Sequence, residues 1–221
     1  MLAYDKETAL LHVRAADPKL AAVIEAAGPF DIESRGGAFK SLGRAIFFQQ
    51  LAGAAARAIM GRVLATLETD EERWYEPARF LKASDEELRA AGLSRQKTAY
   101  LRDLSEKFGS GELSEDEFGD LGDEAVIERV TLVKGIGRWT AEMFLMFSLG
   151  RPDVLPVDDL GVRRGMEGTY GLTELPKPDK MREIAEPWRP YRSVGTWYMW
   201  RALGVDVPEQ GRGYKKDGAR G

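Results

Sequence analysis

Apolar residues recur along this chain at intervals of three and four, and no stretch alternates apolar with polar positions between hairpin turns. The pattern predicts an all-α protein. Asp17-Pro18 pairs an N-cap with a first-turn proline and opens a helix through Leu20, Val23, Ile24 and Ala27, which Gly28-Pro29 ends. One long apolar helix is expected near 40–66. Leu42, Ile46, Phe47, Leu51, Ala55, Ile59 and Val63 would share its face, and Gly53, Ala54, Ala55 and Ala56 would let a second backbone come close. Ser84-Asp85-Glu86-Glu87 reads as a capping box. Ser94 starts a helix with Leu101, Leu104 and Phe108 on one side, broken by Gly109-Ser110-Gly111. Asp123 is the expected cap of the next helix. Further helices are predicted near 137–148, 159–168, 179–186 and 190–203, and the residues 209–221 read as a flexible, slightly basic tail with little to bury.

Composition narrows the chemistry. The 221 residues contain no cysteine and one histidine, His12. Disulfides, a thiol nucleophile, Cys-ligated zinc, a four-thiolate iron–sulfur cluster and a poly-His metal site are thereby excluded. No run approaches the ~20 apolar residues of a membrane span, and the N-terminus lacks a signal-peptide core. A soluble cytoplasmic protein without a membrane partner is expected.

The net charge of −4 argues at first against a nucleic-acid partner, but the acidity is local. Residues 1–67 carry eight basic and six acidic side chains, residues 68–128 eight and eighteen, and residues 129–221 sixteen and twelve. Mildly basic first and last thirds can meet phosphates while the acidic middle faces water, because the local field governs steering.

The most informative stretch is Leu132-Val133-Lys134-Gly135-Ile136-Gly137-Arg138-Trp139-Thr140-Ala141, between two helices. Gly135 and Gly137 permit a tight turn whose backbone N–H groups point outward at a helix start, an anion nest for a phosphate. Taken alone, the same glycines also serve a plain helix–helix turn. Some twenty residues on, a loop with Pro152 and Pro156 precedes the paired carboxylates Asp158-Asp159 and then Leu160-Gly161-Val162. Either carboxylate could simply be a helix N-cap.

Taken together, hairpin, loop, carboxylates and spacing resemble the helix-hairpin-helix (HhH-GPD) DNA glycosylases. The wording Gly135-Ile136-Gly137-Arg138-Trp139-Thr140-Ala141 most resembles the 3-methyladenine DNA glycosylase II branch. Phe47-Phe48-Gln49-Gln50-Leu51-Ala52 resembles that family's Gln-rich helix end, which supplies the residue wedged into the duplex, and Pro190-Tyr191-Arg192-Ser193 its stretch lining the base pocket. The resemblance covers roughly residues 40–203. It implies a monofunctional glycosylase of base excision repair, a hydrolase that flips alkylated, cationic purines out of double-stranded DNA and excises them. It implies Asp159 as the catalytic carboxylate, with Asp158 in a capping or supporting role. A slip of register would exchange the two.

The same resemblance assigns the base pocket to Trp139, Met143 and Tyr191, the wedge to Leu51 with Gln50, and phosphate contacts to Lys134, Gly135, Gly137 and Thr140. Met143 stands where the family often has Tyr. Relatives that also nick the strand carry a Lys nucleophile where this chain has Trp139, so no lyase step is expected. No cofactor is implied beyond a monovalent cation, Na or K, on the backbone carbonyls of Thr131, Val133 and Ile136. The implied architecture is a multi-helix domain of residues 40–150 and a second helical domain of 1–39 plus 151–208, with the DNA cleft between them. The β-rich N-terminal domain of larger members would be missing or vestigial, and the protein a monomer. Two other readings stay open: a non-catalytic helix-hairpin-helix module that only binds DNA, and a glycosylase for a deaminated or oxidised base.

Overall fold

The computed structural model describes residues 2–32, 37–70, 73 and 76–204, and these are all helix and connection, with no strand among them. The helices in chain order are α1 (Lys6–Ala16), α2 (Pro18–Ala27), α3 (Ala38–Phe48), α4 (Gly53–Thr66), α5 (Pro77–Lys82), α6 (Asp85–Ala90), α7 (Arg95–Gly109), α8 (Asp123–Thr131), α9 (Arg138–Phe147), α10 (Leu160–Tyr170), α11 (Pro178–Ala185) and α12 (Arg192–Ala202). Short 3-10 turns lie at Asp116–Gly119 and Glu186–Trp188. None of these helices is long and apolar enough to cross a membrane. The tail expected at 209–221 lies outside the described residues.

Two compact units divide the chain, one from its ends (Met1–Ser34 with Gly150–Gly221) and one from its middle (Arg35–Leu149). In the end unit, Asp17 is the local organiser. Its Oδ1 accepts the N–H groups of Lys19 and Leu20 at 2.9 and 3.1 Å, capping α2, while Oδ2 accepts the indole N–H of Trp188 at 2.9 Å and the hydroxyl of Tyr170. One carboxylate thus ties the start of α2 to the end of α10 and to the turn before α12. Burial raises the cost of its charge, yet these four donors outweigh that and leave its pKa below the usual carboxylate value.

Helix α12 runs through the middle of this unit, buried from Ser193 to Trp200, against α2 and α10. Close approach of α10 needs glycine. A Cβ at Gly165 would stand 2.2 Å from the backbone oxygen of Met199, and one at Gly161 would stand 2.8 Å from Cδ1 of Trp200.

In the middle unit, α9 is buried from Thr140 to Phe147 and packs on α3 and α8, while α7 packs on α3 and α5. The Ser84 capping box is present, with Ser84 and Glu87 bonding reciprocally, and Ser94 caps α7 through the N–H of Lys97. Two expectations fail here. The single helix expected near 40–66 is two helices, because the chain turns at Gln49–Ala52 and Gln50 takes a positive φ of 56° that no helix accommodates. Asp123 is the first helical residue of α8 rather than its cap. Gly122 holds the N-cap position, and no side chain closes it.

Candidate functional site

In the middle unit the candidate residues lie on and beside the hairpin between α8 and α9. Gly135 adopts φ 82°, and a Cβ there would lie 2.2 Å from the ring of Tyr100, so the turn demands glycine twice over. Gly137 takes the N-cap position of α9 with no side-chain capping bond, which leaves the first amides of that helix for another acceptor. Lys134 is exposed. Its amide donates to Oδ2 of the buried Asp103 at 2.9 Å, and its ammonium sits 3.2 Å from Oδ1 of the same residue. Asp103 therefore anchors the hairpin from α7, a role the sequence pattern did not suggest.

Gly135 and Gly137 are exposed, whereas the side chain of Thr140 is buried. Of the carbonyls at Thr131, Val133 and Ile136, that of Val133 accepts the Ile136 N–H at 3.1 Å and keeps a second lone pair. Carbonyl oxygens on a tight turn are donors suited to a hard monovalent cation. No group of three His, Asp or Glu residues able to hold a metal occurs among the described residues.

The turn between α3 and α4 carries Gln50 and Leu51, both exposed, Leu51 at 40%. It is held from beneath. Lys97 on α7 donates its ammonium to the carbonyls of Phe47 and Gln49 at 2.6 and 2.7 Å, and the Gln49 amide donates to the carbonyl of Gly135 at 2.8 Å. Burial lowers the Lys97 pKa, the expected direction for an ammonium removed from water. Trp139 is half-buried on the first turn of α9, and Met143 is buried, 1% exposed, one turn further on.

In the end unit, Asp159 is the N-cap of α10. Its Oδ1 accepts the Val162 N–H at 2.8 Å and the Trp200 indole N–H at 2.9 Å, and the residue is 8% exposed. A carboxylate buried this far, with two donors on one oxygen, is held in a fixed orientation. Asp158, expected to cap or support, is exposed and is not the helix cap. The capping role and the buried position both fall on Asp159.

The loop that delivers Asp159 is sewn to α12. Ser193 donates its hydroxyl to the Arg151 carbonyl at 2.7 Å, accepts the Val154 N–H at 3.0 Å and donates its own amide to Pro152, while Thr196 donates to the Val154 carbonyl. Arg192 is occupied in the same way. Its Nε and Nη2 donate to both carboxylate oxygens of Asp153 and to the Asp153 carbonyl, so the guanidinium holds this loop. Tyr191 is half-buried at the N-terminal end of α12, its ring 5.9 Å from that of Tyr4 and 5.4 Å from that of His12. Lys97, Asp103 and Trp200 escaped the sequence reading because each acts through partners tens of residues away. The Ser193 position was signalled, by its place in Pro190-Tyr191-Arg192-Ser193.

Known proteins resemble this chain in sequence and fold. DNA-3-methyladenine glycosylase 1 of Schizosaccharomyces pombe is 36% identical over 164 residues, covering 74% of this chain and 71% of the relative. The crystal structure of a DNA-3-methyladenine glycosidase from Bacillus halodurans is 40% identical, with a TM-score of 0.80 over 89% of each chain. The S. pombe 3-methyladenine DNA glycosylase Mag1 in complex with abasic DNA gives a TM-score of 0.77 at 31% identity over 90% of this chain and 97% of that one. The family model for HhH-GPD superfamily base excision DNA repair proteins matches residues 44–190, a span that holds the hairpin, the Gln49–Ala52 turn and Asp159. On that match, and with the all-helical fold that carries those elements, the chain belongs to the HhH-GPD superfamily.

Proposed function

We propose that this chain is a monofunctional DNA glycosylase of base excision repair that excises alkylated, cationic purines such as 3-methyladenine from double-stranded DNA, acting as a monomer. The observation that carries the reading is the buried Asp159 carboxylate, aimed by Val162 and Trp200 at the head of α10.

Cleavage of an N-glycosidic bond sends its electron pair onto the purine and leaves positive charge shared between C1′ and the ring oxygen of the sugar. An alkylated purine is already cationic, so it departs as a neutral base without a proton donor. What the protein must supply is a negative charge near C1′ that needs no reorganisation, and Asp159 supplies it. Water then adds to C1′ and gives up a proton to solvent, leaving an abasic site. Trp139 and Tyr191 each offer an aromatic face on which a cationic base can stack, a contact that gains about 0.5–2 kcal/mol. With Trp139 in place of a nucleophilic lysine, no Schiff base forms and the strand is left intact.

Flipping costs a few kcal/mol of stacking and pairing. Leu51, exposed on an anchored turn, fills the vacated stack with Gln50 beside it. The hairpin amides after Gly135 and Gly137, together with Lys134, hold the phosphate. Carbonyls of Thr131, Val133 and Ile136 are suited to a monovalent cation, which would add positive field at that phosphate.

The test compares wild type with Asp159→Asn on duplexes holding one 3- or 7-alkylated purine, scoring free base and strand breaks with and without alkali. Base release with breaks only after alkali, reduced on the order of a hundredfold or more in the variant, is the expected result. Tight binding without release by either protein would replace this reading with a silent binding module.

A further inference from the structure

The segment ahead of α1 and α1 itself bring two polar rings to one tyrosine. Tyr4 meets Tyr191 with ring planes tilted by 43°, and His12 meets it edge-on at 69°. All three lie in the unit formed by the chain ends. In this cluster Tyr4 Oη and His12 Nε2 are buried without a hydrogen-bond partner, and they are the side-chain atoms in that condition among the described residues. Both fall on the neighbours of a single tyrosine instead of being scattered through the core. Phenylalanine at either position would keep the ring contact without stranding a polar atom, so packing alone does not explain a hydroxyl and an imidazole nitrogen here.

We propose that Tyr4 Oη and His12 Nε2 are specificity-determining groups that hydrogen-bond the edge of the base taken up against Tyr191, and that they favour 3-methyladenine over 7-methylguanine. The inference rests on the glycosylase function proposed above. The chemistry of the two edges sets the preference. Burial pushes the Tyr4 hydroxyl pKa up, which keeps it a donor, and His12 Nε2 is an acceptor in the tautomer with its proton on Nδ1. The matching ligand edge therefore offers one acceptor and one donor. Adenine has that pair in N7 and the N6 amino group, and methylation at N3 leaves both intact. Guanine offers N7 and O6, two acceptors, and methylation at N7 removes one of them. Access comes through Tyr191. Its side chain makes no capping bond to α12, so a shift of the ring that keeps its face on the base breaks no capping hydrogen bond.

Methylated duplex DNA carries both lesions in one sample, and chromatography of the released bases gives both rates. Wild type, Tyr4→Phe, His12→Phe and the double variant are compared, with thermal midpoints measured alongside. The expected result is a fall of about tenfold in the ratio of 3-methyladenine to 7-methylguanine release, with 7-methylguanine release within about twofold of wild type and midpoints unchanged or raised. An unchanged ratio, or equal loss of both bases, would overturn the proposal and leave Tyr4 and His12 as packing for Tyr191. Release of neither base by wild type would overturn the glycosylase reading itself, a distinct result.

Discussion

The side-chain amide of Gln49 donates to the carbonyl of Gly135 at 2.8 Å, which makes the turn bearing Leu51 and the hairpin one mechanical piece. The proposed wedge and the proposed phosphate grip thus share a common anchor within the middle unit. If the hairpin amides hold a phosphate as proposed, the same anchor sets the position of Leu51. Leu51→Ala should lower excision from a well-paired duplex about tenfold, and from a duplex with the lesion mispaired only about twofold, because a mispaired base costs less to extrude. Single-turnover rates on the two duplexes check this. Equal losses on both would remove Leu51 from the wedge role.

Lys97 tests the same piece from below. Its ammonium satisfies two carbonyls at the end of α3, and Lys97→Met keeps the length of the side chain while leaving both without that donor. The expected cost is about 1–3 kcal/mol of stability. Activity should show the same bias as Leu51→Ala, a larger loss on the well-paired duplex. A stability loss with uniform activity would mean that Lys97 supports the fold without setting the turn.

What the sequence made legible was local. Asp17-Pro18, the Ser84–Glu87 box and the Ser94 cap each announce a helix end within four residues, and each is present in the structure. The break at Gln49–Ala52 was hidden because the apolar spacing of Ile46, Phe47 and Leu51 continues straight across it. Its causes are a positive φ at Gln50 and a lysine some fifty residues away. Helix α1 went unread for a different reason. Only Ala9 and Val13 of its eleven residues are buried, and Leu11 stands 63% exposed, so no apolar stripe marks it. The Asp5 cap, which accepts the Thr8 N–H, was the available signal. Asp159 could be named from the family wording, but its choice over Asp158 in physical terms needs the burial and the Trp200 bond.

Asp17 should make the end unit acid-sensitive. Its folded pKa lies below the ordinary 3.8, so its stabilisation is fully present above that value and is lost as pH falls through the lowered folded pKa. Asp17→Asn retains a capping oxygen but removes the charge from the bonds to Trp188 and Tyr170, at a cost of about 1–2 kcal/mol at neutral pH. Thermal midpoints of both proteins between pH 7 and pH 3 check this. The gap should hold down to about pH 4 and narrow below it, and a constant gap would show that the charge contributes nothing.

Lys134 should report on phosphate through salt. Its ammonium is exposed and shares Asp103 with its own amide, so phosphate competes with a carboxylate already in place. Lys134→Ala should weaken binding to undamaged duplex and lower the slope of log K against log salt by about 1. Titrations over a range of salt give the slope. An unchanged slope would mean that Asp103 keeps the ammonium and that the hairpin amides carry the contact alone.

Trp200 separates positioning from charge at the carboxylate. Its indole N–H and the Val162 amide both bond Oδ1 of Asp159, and Gly161 and Gly165 bring α10 close enough to α12 for the indole to reach. Trp200→Phe keeps an aromatic ring in the helix packing but removes a donor that aims the carboxylate. A misdirected charge stabilises the sugar cation less while leaving DNA binding alone, so kcat should fall about tenfold, or roughly 1.4 kcal/mol in the barrier. KM and affinity for an abasic duplex should stay within about twofold. Steady-state excision together with abasic-duplex binding separates the alternatives. A matched loss of binding and rate would place Trp200 in the architecture of the end unit, whereas a loss in kcat alone assigns it to the aim of Asp159.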